Sequence, residues 1–256
     1  MFPYLYQSPN LTIGSYGIML AIAYLTGRHL YITQLNQITS IKINTEALIV
    51  SLLVFAVIGA KLMFILKNPQ IASLSDLRTL TSGSGFSSQG ALIAAIVVMF
   101  AFSKLSKVKL SLLLDSAAPA AIIAYALARV GCFLSGDDCW GVDSHLPWAM
   151  SFPDGIKPTS VGQTVHPLPL YEIVYSVLIW KYLNYSQNRE TKPYFQFFKL
   201  LLLWGACRFM IEFISTNPIK ILSMTGSQFG ALLMFLLATI FFSYHNFTTS
   251  EKKPGK

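Results

Sequence analysis

A chain of 256 residues with 54% hydrophobic and 12% charged positions, and a mean hydropathy of +0.54, carries about half the charged share of a soluble domain. That composition excludes an ordinary water-soluble fold and indicates an integral membrane protein. The net charge of +8 would suit nucleic acid, but the lysines and arginines fall in short loops between apolar runs. There they act as orientation signals for a bilayer, so no nucleic-acid partner is expected.

A spanning helix needs about 20 mostly apolar residues. Seven segments qualify: Gly14 to Tyr31, Ala47 to Leu66, Gln89 to Ser106, Leu110 to Phe133, Leu168 to Leu183, Phe195 to Ile214 and Ser223 to Tyr244. No basic patch and cleavage site precedes the first run, so no removed leader is expected. The fold class expected is therefore an all-α membrane protein, with seven transmembrane helices in a single bundle over residues 1–256. Residues 134–167 form its outer-side loop and residues 245–256 a cytoplasmic tail.

The Lys/Arg bias sets the orientation. Arg28 and Lys42 follow the first span, Lys104, Lys107 and Lys109 the third, and Lys181, Arg189, Lys192 and Lys199 surround the fifth-to-sixth loop. Lys252, Lys253 and Lys256 form the tail. The alternate loops hold only Lys67, Arg78, Lys157 and Lys220, together with Asp137, Asp138, Asp143 and Asp154. The N-terminus is expected outside and the C-terminus inside.

With that orientation the unusual residues gain a depth. Tyr16 opens the first span from outside, and Gln89 and Gly90 open the third. Arg129 lies about 30 Å along the fourth span from Lys109 at the helical rise. His166, Tyr171 and Glu172 enter the fifth span, Arg208 sits in the sixth, and Gly226 and Gln228 open the seventh. Ionisable groups at hydrocarbon depth are costly and usually mark a site. The expected site is in the outer half of the bundle, centred on the polar stretch from Arg129 to Glu172.

Each candidate has a chemical and a structural reading. The planar forks of Arg129 and Arg208 suit a phosphate, or pair structurally with Glu172 and with Glu212, one turn beyond Arg208. Gly131 and Gly205 let helices or a ligand come close. His166 is a candidate general base or a loop-holding residue. Tyr16 and Tyr171 suit an aromatic belt, and Trp148 and Phe152 are expected to anchor at the interface. Asp115 reads as a helix-start carboxylate. Three cysteines, Cys132, Cys139 and Cys207, make no disulfide framework and no zinc spacing. Free thiols are expected, with Cys132 a small hydrophobe rather than a nucleophile. No metal and no cofactor is expected.

At these residues the chain resembles the prolipoprotein diacylglyceryl transferases, along nearly its whole length. Ala128 to Asp137 is similar to the family's Gly-Arg-x-Gly-Asn-Phe-x-Asn-Gly-Glu, Pro147 to Pro153 to its Pro-Trp-Gly-x-x-Phe-Pro, and His166 to Glu172 to its His-Pro-x-x-Leu-Tyr-Glu. Trp204 to Phe213 is similar to Tyr-Gly-x-x-Arg-Phe-x-x-Glu-Phe. The resemblance implies a multi-pass protein of the bacterial inner membrane. It would transfer the diacylglyceryl group of phosphatidylglycerol to the lipobox cysteine thiol of a preprolipoprotein, releasing glycerol phosphate. It implies that Arg129 and Arg208 bind the phosphate, and His166 is the candidate to take the thiol proton at the same face. Tyr16, Gln89, Gly131, Cys132, Gly136, Gly141, Tyr171, Glu172 and Glu212 would line the substrates, and membrane lipids would surround the bundle. Departures are specific. The family's Phe-His-Gly-Gly is Phe86-Ser87-Ser88-Gln89-Gly90 here, its two asparagines are Cys132 and Ser135, and the stretch from Gly136 to Gly141 is one residue longer. Two readings follow: a transferase, or a non-catalytic phospholipid-binding paralogue or a transferase with another acceptor.

Overall fold

The computed structural model describes residues 1–8, 12–38, 43–68, 87–187, 192–221 and 223–250. Of the sequence expectations, Lys42, Arg78, Phe86, Arg189 and the tail lysines 252, 253 and 256 lie outside the described residues. Among those described there are seven α-helices: α1 (Ser15–Ile38), α2 (Thr45–Lys67), α3 (Ser88–Ser106), α4 (Leu110–Ser135), α5 (Leu168–Gln187), α6 (Phe195–Ile211) and α7 (Gly226–Ser250). Each falls on an expected apolar segment. Four of them, α2, α3, α4 and α7, are long and apolar enough to cross a membrane by length and composition. The other three are diluted or short: α1 carries Arg28, His29 and Gln34, α5 carries Glu172 and Lys181, and α6 has 17 residues.

The boundaries differ from the sequence reading where hydropathy and hydrogen bonding part company. The first helix runs on to Ile38, past the end of its apolar stretch, because polar residues continue a hydrogen-bonded helix that hydropathy no longer registers. The sixth helix ends at Ile211, and Glu212–Ile214 tightens into a 3-10 turn. Two small antiparallel pairs, absent from an all-α reading, sit before α1 and α7: β1 (Tyr4–Gln7) with β2 (Thr12–Gly14), and β3 (Ile219–Ile221) with β4 (Met224–Thr225). Strands of two to four residues give too little alternation to read from sequence.

The chain divides into two compact units. One comprises Gln34–Leu114. Within it α2 and α3 meet backbone to backbone: a Cβ on Gly90 would lie 2.1 Å from the Gly59 carbonyl oxygen, so only glycine fits this approach. Gln89, at the start of α3, accepts a hydrogen bond from the Lys67 ammonium.

The other unit comprises Met1–Thr33 and Asp115–Lys256. Its helical core is Ala118 and Ile122 of α4 against Ile179 and Leu183 of α5, with Leu203 and Trp204 of α6 packed around them. The 134–167 segment has a small core of its own. Trp140 stacks on Phe152 at 5.2 Å between centroids, and Val165 closes the cluster. Phe152 is 1% exposed, which corrects its reading as an interfacial anchor: it packs inside the loop's own core with Trp140 and Val165. Trp148 is 55% exposed, as an anchor would be.

Asp115 is also more specific than a helix-start charge. Its carboxylate accepts the backbone N–H groups of Tyr194 at 2.7 Å and Phe197 at 2.9 Å, so it caps α6 rather than its own helix. Those are two of the four donors a helix start leaves unsatisfied. Asp115→Ala should therefore cost about 1–2 kcal/mol, read as a lower thermal midpoint of the detergent-solubilised protein. Unchanged melting would show that α6 needs no cap from α4.

Candidate anion site at the ends of three helices

The site is built on one buried carboxylate. Glu172 stands one turn into α5, after Pro167 and Pro169, whose missing N–H groups are no loss at a helix start. It is 1% exposed. Its Oε2 lies 2.5 Å from Arg129 Nε on α4, and its Oε1 pairs with Arg208 Nη1 on α6. Tyr125, one turn before Arg129, donates its hydroxyl proton to the same Oε1 at 3.0 Å. That hydroxyl oxygen accepts from Arg129 Nε at 3.1 Å, and the guanidinium lies 5.0 Å from the centre of the Tyr125 ring. Three helices thus converge on one anion.

A second carboxylate completes the neutral network. Glu212, 2% exposed, lies 2.8 Å from Arg208 Nη2. Its Oε1 accepts from Asn217 Nδ2 at 2.6 Å and from Thr225 Oγ1 at 2.8 Å. Thr225 in turn is fixed by Gln228, whose side chain accepts the Thr225 N–H at 2.9 Å. The structural pairing weighed for both arginines is present. It does not exhaust them, because Arg129 Nη1 is left facing two sulfurs, Cys132 Sγ at 3.6 Å and Cys139 Sγ at 3.7 Å. Sulfur is a weak acceptor, and an anion would be a stronger one.

A cleft of about 170 Å³ opens here, lined by Arg129, Arg208 and Glu172 together with Cys139, Trp140 and Asn217. Sites for drug-sized ligands span roughly 300–1,000 Å³, and this cleft is smaller.

The turn that follows α4 shapes the rim. Gly136 takes the left-handed conformation at φ +59°, and its N–H bonds the Cys132 carbonyl at 3.0 Å. Asp138, at φ +70°, reverses the chain again and pairs with Lys157 at 2.8 Å. The result returns Cys139 over Cys132, and neither is in a disulfide. A hydrogen bond with Cys132, then burial, then the nearby Asp137 carboxylate hold the Cys139 thiol well above the usual thiol range. It stays protonated at neutral pH in the free chain.

The remaining expected residues fall into three groups. Tyr16 and Gly131 meet where α1 crosses α4; a methyl group on Gly131 would lie 3.1 Å from the Tyr16 ring. Gly141 lies against Ile214 and His166, and it bridges to Ser215, which lines the cleft. His166 is not among the residues lining the cleft. Its Nδ1 is 3.2 Å from the Tyr171 hydroxyl, which also accepts from Trp148 Nε1 at 2.7 Å. Its backbone accepts from Gly141 N–H and donates to the Val142 carbonyl, contacts that suit the loop-holding reading. Gln89 belongs to the other compact unit. Sequence reasoning missed Tyr125, although its i, i+4 spacing from Arg129 was a usable signal. It also missed Asn217 and Thr225, which carry no charge to draw notice.

Paired arginines at a polar cleft among apolar helices are an arrangement whose chemistry suits an anion. Residues 3–244 match the prolipoprotein diacylglyceryl transferase family, and the chain belongs to it. Similar proteins include the phosphatidylglycerol–prolipoprotein diacylglyceryl transferase of Clostridium tetani, 26% identical over 260 residues, covering 96% of this chain and 99% of that one. Those of Finegoldia magna (26% over 232 residues, 88% of each chain) and Dehalococcoides mccartyi (26% over 245 residues, 94% and 93%) are similar to the same degree.

Because Glu172 neutralises two arginines at once, Glu172→Ala leaves both without their shared partner. Removing one member of a buried pair costs about 3–5 kcal/mol. A large drop in the thermal midpoint is expected, with Glu172→Asp recovering only part of it because the shorter side chain reaches one arginine. Wild-type stability of Glu172→Ala would show that the arginines do not depend on it.

Proposed function

We propose that this protein is a membrane transferase that moves the diacylglyceryl group of phosphatidylglycerol onto the lipobox cysteine thiol of a preprolipoprotein. It works from the outer side of a bacterial inner membrane as a seven-span bundle with its N-terminus outside. The observation that carries the reading is the convergence of Arg129 and Arg208 on Glu172 at a cleft sized for a phosphate. Membership of the family supports the reaction class, and the names of the relatives supply the donor and the acceptor.

In this reaction the bond between the glycerol carbon and the phosphate oxygen breaks, and a thioether forms at that carbon. Negative charge grows on the departing glycerol phosphate. Arg129 and Arg208 are the groups that meet it, worth most in a site from which water is excluded. Glu172 and Glu212 fix the two forks before the substrate arrives, which removes the cost of arranging them during the reaction. Tyr16, Gly131, Cys132, Gly136, Gly141 and Tyr171 shape the surround, and Gln89 stands at the start of α3. The acceptor brings its own nucleophile, so the protein needs none.

Gln89 favours a second reading, a phospholipid-binding paralogue without turnover or a transferase with a different acceptor, because an amide cannot take a proton from a thiol. Incubation of purified protein with labelled phosphatidylglycerol and a lipobox peptide separates the two. Label on the peptide supports the transferase, and retained lipid with no labelled thiol supports the binder.

Arg129→Lys and Arg208→Lys should each insert normally and lose about a hundredfold in rate, since lysine keeps the charge but cannot grip phosphate with two parallel bonds. That corresponds to about 3 kcal/mol of transition-state stabilisation. Near-normal turnover of both variants would make the arginines structural only. For orientation, a single cysteine at Ser160, in a background without native cysteines, should react with an impermeant reagent in intact cells. Labelling only after permeabilisation would reverse the topology.

A further inference from the structure

The rim of the cleft holds a group of side chains that phosphate binding does not use. Cys132 Sγ, Cys139 Sγ and a carboxylate oxygen of Asp137 lie within 4.8 Å of one another. The Asp137 Oδ1 atom is buried and has no hydrogen-bond partner. A buried anionic oxygen without a donor is costly, and here it stands beside two thiols that can themselves become anions. The geometry is a product of the turn after α4, where two consecutive reversals at Gly136 and Asp138 fold Cys139 back over Cys132.

We propose that Cys132, Cys139 and Asp137 hold a zinc ion whose open fourth position takes the thiol of the acceptor. Two sulfurs exclude the hard cations magnesium and calcium, and a sulfur–carboxylate set suits zinc. Zinc binds sulfur at about 2.3 Å and carboxylate oxygen at about 2.0–2.2 Å. Tetrahedral ligands at those lengths stand about 3.5–3.8 Å apart, so the three groups need close by only about 1 Å. Three protein ligands with one open position is the pattern of a reacting zinc rather than a structural one. Arg129 Nη1, at 3.6 and 3.7 Å from the two sulfurs, would be an outer donor shared between the thiolates and the phosphate. Cys139 and Arg129 both line the cleft, so a thiol at the open position stands beside the phosphate.

The metal site stands on these residues alone; the identity of the fourth ligand rests on the transferase reading. The two protein thiols and the acceptor thiol each release a proton to solvent on binding. The acceptor sulfur then attacks the glycerol carbon, the carbon–oxygen bond to phosphate breaks, and glycerol phosphate leaves with the electron pair. The thioether product is a weaker ligand than a thiolate and departs. No electron is gained or lost overall, and no side-chain base is required. Replacement of a histidine by Gln89 is then tolerable.

The test uses the full-length detergent-solubilised protein. Stripped of metal under reducing conditions and then given zinc alone, it should bind one equivalent by atomic emission. With cobalt alone it should develop the sulfur-to-cobalt charge-transfer absorption. A lipobox peptide should strengthen that absorption, and the same peptide with serine for cysteine should not. Cys139→Ser, in the loop, should weaken zinc binding by more than the 10–100-fold that loss of an outer partner costs, as should Cys132→Ser. Less than one equivalent of zinc, or a wild-type mass two hydrogens short from a Cys132–Cys139 disulfide in its place, overturns the site. Cobalt binding without a response to the cysteine peptide overturns the fourth-ligand assignment. Lipidation that survives full removal of zinc sinks this proposal and leaves the transferase standing, whereas zinc binding without any lipidation of peptide sinks the transferase and leaves the metal site.

Discussion

Everything at this site depends on one carboxylate that has been taken out of water. Glu172 is held between an arginine from α4 and an arginine from α6, and none of the three groups could be buried alone. A charge desolvated without a partner costs several kcal/mol. The pairing therefore fixes more than a contact: it sets the relative position of α4, α5 and α6, which meet at Glu172 and pack together lower down through Ile122, Ile179 and Leu203. Glu212 repeats the device on a smaller scale. It joins Arg208 to Thr225 at the start of α7, so a fourth helix is tied to the same neutral network.

Such a network has a functional corollary. Two arginines balanced by two glutamates have no net charge, yet they present donors in a fixed arrangement. On the transferase reading, an incoming phosphate would meet forks already aimed and would not need to assemble them. The carboxylates would compete for the same protons, which holds the affinity down. The arrangement would favour charge that grows on the leaving oxygen over charge already spread over the bound diester.

How much of this was legible in the sequence follows from the physics of each residue. An arginine or glutamate inside an apolar run is conspicuous because the surroundings make it expensive, so Arg129, Glu172, Arg208 and Glu212 stood out at once. Helix positions followed from hydropathy for the same reason. Residues whose role depends on a distant partner did not. Asp115 caps a helix 79 positions further on, and nothing near it in the chain says so. Phe152 read as an interfacial anchor beside Trp148, whereas its burial depends on Trp140 and Val165, brought together only by the folded loop. The Cys132, Asp137 and Cys139 cluster was invisible for a third reason. Their spacing is not a metal motif, and it becomes a ligand set only through two backbone reversals.

The small volume of the cleft carries a further consequence for how a substrate is supplied. On the transferase reading, a pocket of this size would take the polar head and leave the hydrocarbon tails among other lipids. Two phospholipids that differ only in tail length or unsaturation would then offer the cleft the same group. Discrimination among them would fall to the bilayer, through thickness and packing. Occupancy would follow the mole fraction of the headgroup in one leaflet, reached by sideways diffusion, rather than any concentration in the surrounding water.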